Sequence, residues 1–302
     1  MFSEKTTPLT KLNSPLFEQK GVSVWMKREE LNHPLIQGNK WHKLRFNIEA
    51  ALKQHKTTLL TFGGAYSNHI AATAIAAKQA GLNSIGIIRG QELYDRPDKW
   101  SHTLHNAAKN GMHFQFVSRI DYRDKANPET LISLQKTYPE AYILPEGGSN
   151  ELAVQGFKSL MVQIETQCPG WTHLFTAVGT GGTLTGLVKY AKLQNKRTIL
   201  GVPVLKQGDY LYPEIEKWIN SAAVNHWQLL TEYHAGGYAK TSPKLQLIMQ
   251  DFKKEFSIDL DPIYTVKMVN AFYDQLNQDQ IKPGSKVVLL HTGGLQGCYK
   301  PL

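Results

Sequence analysis

The sequence is poor in cysteine and has no long apolar run, and each shortage excludes a class of protein. Its 302 residues include two cysteines, Cys168 and Cys298. Two cysteines cannot build a disulfide framework, which indicates a reducing compartment. No apolar stretch reaches the roughly 18 residues that a membrane-spanning helix needs, and the first residues do not resemble a secretory signal. We therefore expect a cytoplasmic protein that does not associate with a membrane.

Positive charge is present in excess, but it is scattered along the chain. Lysine and arginine together number 34 against 25 acidic residues, a formal net charge of +9. The basic residues form at most short pairs such as Lys253-Lys254, so no stripe that would follow a nucleic-acid backbone is visible. The eleven histidines show no metal-ligand spacing. We expect neither a nucleic-acid partner nor a metal, and a general preference for small anions is the milder inference.

Apolar segments of strand length alternate with helical patterns along the whole chain. Residues 58–62, 84–88, 174–178 and 286–290 have the composition of buried strands, and the stretches between them have helical spacing. This alternation predicts an α/β fold with parallel, twisted sheets wound by right-handed crossovers and flanked by helices. A glycine-rich break at 145–150 separates the two halves of the pattern.

Three glycine-rich turns follow predicted strands: Gly63-Gly64, the run from Gly179 to Thr183, and Gly293-Gly294. Ligands of parallel α/β sheets bind at the carboxyl ends of strands. The middle turn, Gly-Thr-Gly-Gly-Thr, opens a predicted helix, and its backbone N–H groups, hydroxyls and helix dipole suit a phosphate. It lacks the P-loop lysine and the dinucleotide-binding spacing. A plain tight turn is the alternative.

Two lysines, Lys40 and Lys43, lie at the predicted start of an amphipathic helix, after Gly38 and a predicted cap at Asn39. The predicted apolar face of this helix consists of Trp41, Leu44, Ile48, Ala51 and Leu52. The positive end of a helix and burial both lower the pKa of a lysine. An amine of this kind suits Schiff-base chemistry. An ordinary surface helix with solvated lysines is the alternative.

The pair Ser67-Asn68 follows the first glycine turn, at the predicted start of an alanine-rich helix. Serine and asparagine are preferred helix caps, which gives a purely structural explanation. The functional alternative is that the hydroxyl and the amide face a ligand above the sheet.

Five motifs in order resemble one family: Gly38 to Leu44, Gly63 to Asn68, Gly179 to Thr183, Asp261 to Tyr264, and His291 to Gly294. They are similar to those of the 1-aminocyclopropane-1-carboxylate (ACC) deaminase and D-cysteine desulfhydrase family. These are pyridoxal-phosphate (PLP) enzymes with the two-domain fold of the tryptophan synthase β-subunit, fold type II. The resemblance covers nearly the whole chain and implies PLP as cofactor, a small amino acid as substrate, and a homodimer. It also implies a large domain of residues 1–40 and 149–302, with a small domain of 41–148 inserted in it.

The resemblance assigns roles to individual residues. Lys40 would carry the PLP Schiff base, and Lys43, one helical turn on, would support it. Asn68 would contact the phenolic oxygen of the cofactor, and Ser67 the substrate carboxylate or the proton being moved. The cofactor phosphate would be held by Gly179, Thr180, Gly181, Gly182 and Thr183. The family's active-site tyrosines correspond to Tyr264, which would face the reacting carbon, and to Tyr238, where the surrounding residues differ.

Two threonines favour one activity within the family. ACC deaminases carry an acidic residue directly after the tyrosine that matches Tyr264 and a leucine before the last Gly-Gly, where this chain has Thr265 and Thr292. D-cysteine desulfhydrases have small hydroxyl residues there. We expect Thr292 to contact the ring nitrogen with Thr265 beside it, and predict β-elimination from D-cysteine to pyruvate, ammonia and hydrogen sulfide. ACC deamination on the same scaffold is the first alternative, and a non-catalytic PLP-binding protein the second.

Overall fold

The computed structural model describes residues 4–219 and 224–295, so that Cys298 lies outside the described residues. The strands are β1 Leu9–Leu12, β2 Ser23–Arg28, β3 Thr58–Gly64, β4 Asn83–Arg89, β5 Met112–Val117, β6 Ala141–Ile143, β7 His173–Val178, β8 Thr198–Pro203, β9 His226–Leu229 and β10 Lys286–His291. The helices are α1 Pro15–Gln19, α2 Asn39–Lys53, α3 Asn68–Gln79, α4 His102–Lys109, α5 Pro128–Thr137, α6 Glu151–Gln155, α7 Lys158–Gln167, α8 Gly182–Tyr190, α9 Leu211–Ile219, α10 Pro243–Phe256 and α11 Thr265–Asn277.

The strands form two separate sheets. The larger has the order β1-β2-β10-β7-β8-β9, and the smaller has the order β5-β4-β3-β6. Strand β1 pairs antiparallel with β2, and the remaining pairings are parallel. The predicted α/β fold with parallel sheets is therefore confirmed.

The central strands of the larger sheet are buried on both faces, as helices on both sides of a parallel sheet require. In β7, Phe175 and Ala177 pack into one apolar core and Leu174 and Val178 into another. Helix α11 adds Phe272 to the first core. An uninterrupted apolar run therefore marks such a strand in the sequence.

The smaller sheet packs against α3, whose residues from Asn68 to Ala77 are all buried. Alanine occupies five of these ten positions, and its small side chain allows the helix to approach the sheet closely. The sheet and its helices comprise residues within 41–148, and we propose this range as the small domain. The larger sheet takes its strands from the segments before and after it.

Helix α2 leads from the larger sheet into the smaller one. Trp41, Leu44, Ile48 and Ala51 are buried as predicted, but Leu52 is 42% exposed. The prediction for Leu52 is wrong because one further residue rotates the side chain about 100° from Ala51, past the edge of the buried face. Within the described ranges, no helix is long and apolar enough to cross a membrane.

Candidate active site

A cavity of about 410 Å³ lies where the carboxyl ends of strands from both sheets meet. Strand β3 ends beside it at Gly64, and β7 at Val178. The first residues of α2 and α3 also line it. The lining includes these residues that the sequence singled out: Lys40, Lys43, Ser67, Asn68, Gly179, Thr180, Gly181, Thr183, Tyr238 and Tyr264. One cavity therefore brings together motifs that are more than 200 residues apart.

Lys40 enters the cavity from the first turn of α2. Burial lowers the pKa of its amine to about 8, and the nearby Asp261 carboxylate opposes part of this effect. A substantial fraction of the amine is therefore neutral near physiological pH, as a nucleophile requires.

Gly38 allows α2 to begin at this point. Its φ of +68° lies in the left-handed region that favours glycine. A side chain at this position would collide with the carbonyl oxygen of Thr292. The start of α2 is therefore pressed against the end of β10, which fixes where Lys40 emerges.

Asn39 does not cap α2 as predicted. Gly38 occupies the N-cap position, and Asn39 is the first helical residue. The Asn39 side-chain amide instead donates to Thr183 Oγ1 at 3.1 Å. This contact joins α2 to the first turn of α8, so the residue links two binding elements.

Lys43 is 3% exposed and lies one helical turn after Lys40. Its Nζ donates to Ser149 Oγ at 2.7 Å, to the Gly147 carbonyl oxygen at 3.1 Å and to Thr180 Oγ1 at 3.3 Å. Burial, and then repulsion from Lys40, holds the pKa of this amine well below its ordinary value.

The glycine-rich stretch from Gly179 to Thr183 opens a helix as predicted, and Gly182 is the first residue of α8. Gly181, the N-cap residue, has φ of +83°, which again favours glycine. The turn presents the N-terminal N–H groups of a nine-residue helix to the cavity. This end of a helix attracts anions.

Ser67 stands at the N-cap position of α3, and Asn68 is the first residue of that helix. Within the described residues, the Ser67 hydroxyl makes no capping hydrogen bond. Both residues line the cavity, which favours the ligand-facing interpretation over simple capping.

The two tyrosines stand together on the cavity wall. The Tyr238 and Tyr264 rings meet edge to face with centroids 6.2 Å apart. Burial raises the pKa of both phenols, that of Tyr264 more strongly. Both are therefore protonated at neutral pH and act as hydrogen-bond donors or acids.

Thr265 and Thr292, on which the prediction of D-cysteine elimination rests, have different environments. Thr292 borders a small adjoining cavity of about 20 Å³ together with Lys40 and Asn68. Thr265 lies elsewhere: its Oγ1 accepts from Asp261 N at 2.6 Å and donates to the Asp261 carbonyl oxygen at 3.3 Å. As far as the structure is described, Thr265 lines neither cavity, because its position at the start of α11 turns the hydroxyl to the backbone.

Sequence reasoning missed several residues of the site, namely His69, Arg89, Glu146, Ser149 and Asp261. Arg89 ends β4 and Glu146 follows β6, so the rule that ligands bind at strand carboxyl ends could have indicated both. His69 directly follows Asn68, and its buried Nε2 lies 2.9 Å from Thr61 Oγ1.

The Asp261 carboxylate lies close enough to Lys40 to affect the pKa of its amine. Asp261 opens the fourth motif, but the sequence assigned it no role in the site. Its Oδ1 accepts from the backbone N–H groups of Ile263 and Tyr264, as in an Asx turn, and this turn leads into α11. Burial raises the pKa of this carboxyl to about 7. The Asp261 charge raises the pKa of the Lys40 amine. The two residues are more than 200 positions apart in the chain, so no local motif reveals this interaction.

This arrangement suits a phosphorylated aldehyde. A partly neutral lysine amine can bond covalently to a carbonyl group, and an anion-attracting helix terminus with a second lysine opens onto the same cavity. These residues fit PLP, whose two reactive ends are an aldehyde and a phosphate. The fold and the site thus define a PLP-dependent enzyme of fold type II.

Comparison with known proteins identifies the family. The model of the pyridoxal-phosphate dependent enzyme family matches residues 1–293, and the chain belongs to this family. It is 29% identical to the mitochondrial bifunctional D-cysteine desulfhydrase/1-aminocyclopropane-1-carboxylate deaminase of Arabidopsis thaliana, over 97% of this chain and 77% of that protein.

Solved structures agree with the fold. A crystal structure of an ACC deaminase homologue superposes with a TM-score of 0.80 at 25% identity, covering 98% of this chain and 91% of the other. Threonine deaminase isoform 2 of Solanum lycopersicum has a TM-score of 0.69 at 14% identity, over 96% and 80% of the two chains. The second likeness concerns the fold alone. The predicted family, enzyme class and cofactor are confirmed.

Proposed function

We propose that the protein is a lyase that eliminates the thiol from D-cysteine. One D-cysteine and one water give pyruvate, ammonia and hydrogen sulfide. When bound, PLP supplies the electron sink that stabilises negative charge at the substrate Cα. The choice of D-cysteine over ACC is our inference from the residues around the cavity.

Five residues carry the proposed roles toward cofactor and substrate. Lys40 would hold the cofactor covalently, and its amine would take or return a proton at the substrate Cα. The Asn68 amide would contact the cofactor's phenolic oxygen, and Ser67, with the N–H groups at the start of α3, would bind the substrate carboxylate. The protonated phenols of Tyr264 and Tyr238 face the reacting carbon and the leaving group, where they donate to the departing sulfur.

The position of Thr292 is the observation that supports a preference for elimination. It borders the small cavity shared with Lys40 and Asn68, and its hydroxyl is neutral. A neutral hydroxyl can donate a hydrogen bond to an unprotonated ring nitrogen, whereas a carboxylate would keep that nitrogen protonated. Less spreading of the negative charge favours prompt loss of a good leaving group from Cβ.

The product test is direct. PLP-loaded protein is incubated separately with D-cysteine and L-cysteine, and hydrogen sulfide and pyruvate are quantified. We expect equal amounts of the two products from D-cysteine and much less from L-cysteine, with Lys40→Ala inactive on both. A yellow, PLP-loaded wild-type protein that releases no sulfide would favour the non-catalytic alternative.

ACC deamination stays the second candidate. The Arabidopsis relative is named for both activities, and the ACC deaminase homologue has a closely similar fold. ACC would give 2-oxobutyrate and ammonia in place of pyruvate and sulfide, so the two reactions are distinguishable by their keto acids. The homodimer and the cytoplasmic location also stay predictions, for which native mass measurement and cell fractionation are the tests.

A further inference from the structure

The Lys43 ammonium is held from two sides of the cavity. Helix α2 supplies the lysine, and the loop after β6 supplies two of its acceptors, the Gly147 carbonyl oxygen at 3.1 Å and Ser149 Oγ at 2.7 Å. The turn after β7 supplies the third, Thr180 Oγ1 at 3.3 Å. The ammonium therefore lies beside the predicted phosphate turn.

Ser149 connects the lysine to that turn. Its buried hydroxyl shares a hydrogen bond of 2.5 Å with Thr180 Oγ1. A Cβ at Gly182 would come within 2.7 Å of Ser149 Oγ and 3.4 Å of Lys43 Nζ. Because glycine has no Cβ, the hydroxyl and the ammonium both approach the first turn of α8.

Burying the positive charge of Lys43 costs free energy unless an anion lies beside it. Lys43 is buried beside a second lysine, Lys40. The charges of both lysines contribute to lowering the pKa of the buried His69 imidazole. Its three acceptors are a carbonyl and two hydroxyls, none of which carries a charge. A buried cation without a counter-ion is destabilising. Burial and the neighbouring Lys40 hold the pKa of the Lys43 amine low. A phosphate dianion at the 179–183 turn would supply the opposite charge that favours the protonated ammonium.

We propose that Ser149 is a positioning residue of the phosphate site, whose hydroxyl holds the Lys43 ammonium against Thr180 so that lysine and turn bind one phosphate. The inference rests on the proposed placement of the cofactor phosphate at residues 179–183. Ser149 acts through Lys43 and Thr180 and does not reach the reacting atoms.

Pyridoxal, which has the aldehyde of PLP but no phosphate, isolates this role. Apoprotein is titrated with PLP and with pyridoxal, and binding is followed by absorbance. Because hydrogen bonds to charged groups contribute more than neutral ones, Ser149→Ala should weaken PLP binding by about tenfold or more. Pyridoxal binding should stay within about twofold. Inorganic phosphate should compete with PLP for wild-type protein and less well for Ser149→Ala.

Two further variants complete the design. Ser159→Ala is the matched control, because Ser159 on α7 also has a buried hydroxyl and this hydroxyl contacts no partner among the described residues. It should leave both titrations unchanged. Lys43→Met removes the charge directly and should reproduce the selective loss of PLP affinity, which keeps the proposal testable if Ser149→Ala fails to fold.

Equal weakening of PLP and pyridoxal by Ser149→Ala would show a merely structural role and overturn the proposal, as would no change in either. Gly181→Asp places bulk and negative charge in the turn itself and separates this failure from a wrong phosphate site. If Gly181→Asp loses the preference for PLP while Ser149→Ala keeps it, the Ser149 role alone is wrong. If Gly181→Asp also keeps that preference, the phosphate has been assigned to the wrong turn.

Discussion

The backbone N–H of Asn39 donates to the carbonyl oxygen of Thr292 at 3.1 Å. This hydrogen bond joins the residue before Lys40 to the residue that follows β10. The proposed cofactor attachment point and the proposed partner of its ring nitrogen are thus held at a fixed separation by the backbone. The relative placement of the Lys40 and Thr292 side chains therefore depends on a hydrogen bond between backbone atoms.

We predict that Lys40, and not Lys43, attaches the cofactor. Lys40 reaches the cavity from the first turn of α2, whereas three hydrogen bonds hold the Lys43 amine at the phosphate turn. Borohydride reduction followed by peptide mapping should label Lys40. Lys43→Ala should bind PLP more weakly but keep the visible band at saturating cofactor. Label on Lys43, or an intact band in Lys40→Ala, would contradict the assignment.

The rate of cofactor attachment should rise with pH through about 8. Burial lowers the pKa of Lys40 to about 8, and only the neutral amine attacks an aldehyde. At pH 7 about one amine in ten is then neutral, against on the order of one in a few thousand for an ordinary lysine. Stopped-flow mixing of apoprotein and PLP across the pH range measures this rate. The reaction of PLP with free lysine serves as the reference. An attachment rate that still climbs as steeply as this reference between pH 9 and pH 10 would argue against the shifted amine.

The start of α2 should tolerate no side chain at Gly38. Gly38→Ala combines an unfavourable positive φ with a collision against Thr292. Gly81→Ala is the matched control, since Gly81 has φ of +71° but no described atom within 4 Å of the added Cβ. Urea denaturation should show a loss of about 1–2 kcal/mol for Gly81→Ala and a clearly larger loss for Gly38→Ala. Equal losses would mean that α2 does not press against the end of β10.

The two threonines should respond differently to substitution. Thr292→Val replaces the hydroxyl beside the small cavity with a methyl group of similar size. It should depress thiol elimination with only a small change in the free energy of unfolding. Thr265→Val leaves the buried N–H of Asp261 without its acceptor, which costs about 1–3 kcal/mol of stability. Kinetics and denaturation of both variants, compared with wild type, separate the two roles. Elimination that is insensitive to Thr292→Val would remove this residue from the proposed specificity.

The sequence predicted the parallel α/β fold and ten of the residues that line the cavity, because both depend on local patterns. Apolar runs such as 174–178 and glycine turns such as 179–183 are encoded by consecutive residues. The turn of the Thr265 hydroxyl towards the Asp261 backbone could not be read in this way, because it depends on how the chain enters α11. The same holds for Ser149, whose role appears only when three segments meet around Lys43.

A competition experiment tests the central claim most directly. PLP-loaded wild-type protein receives D-cysteine and ACC together at equal concentration, and the two keto acids are separated and quantified over time. If the neutral Thr292 hydroxyl favours elimination, pyruvate with matching hydrogen sulfide will greatly exceed 2-oxobutyrate. Formation of 2-oxobutyrate faster than pyruvate would contradict the proposed function and identify ACC as the better substrate.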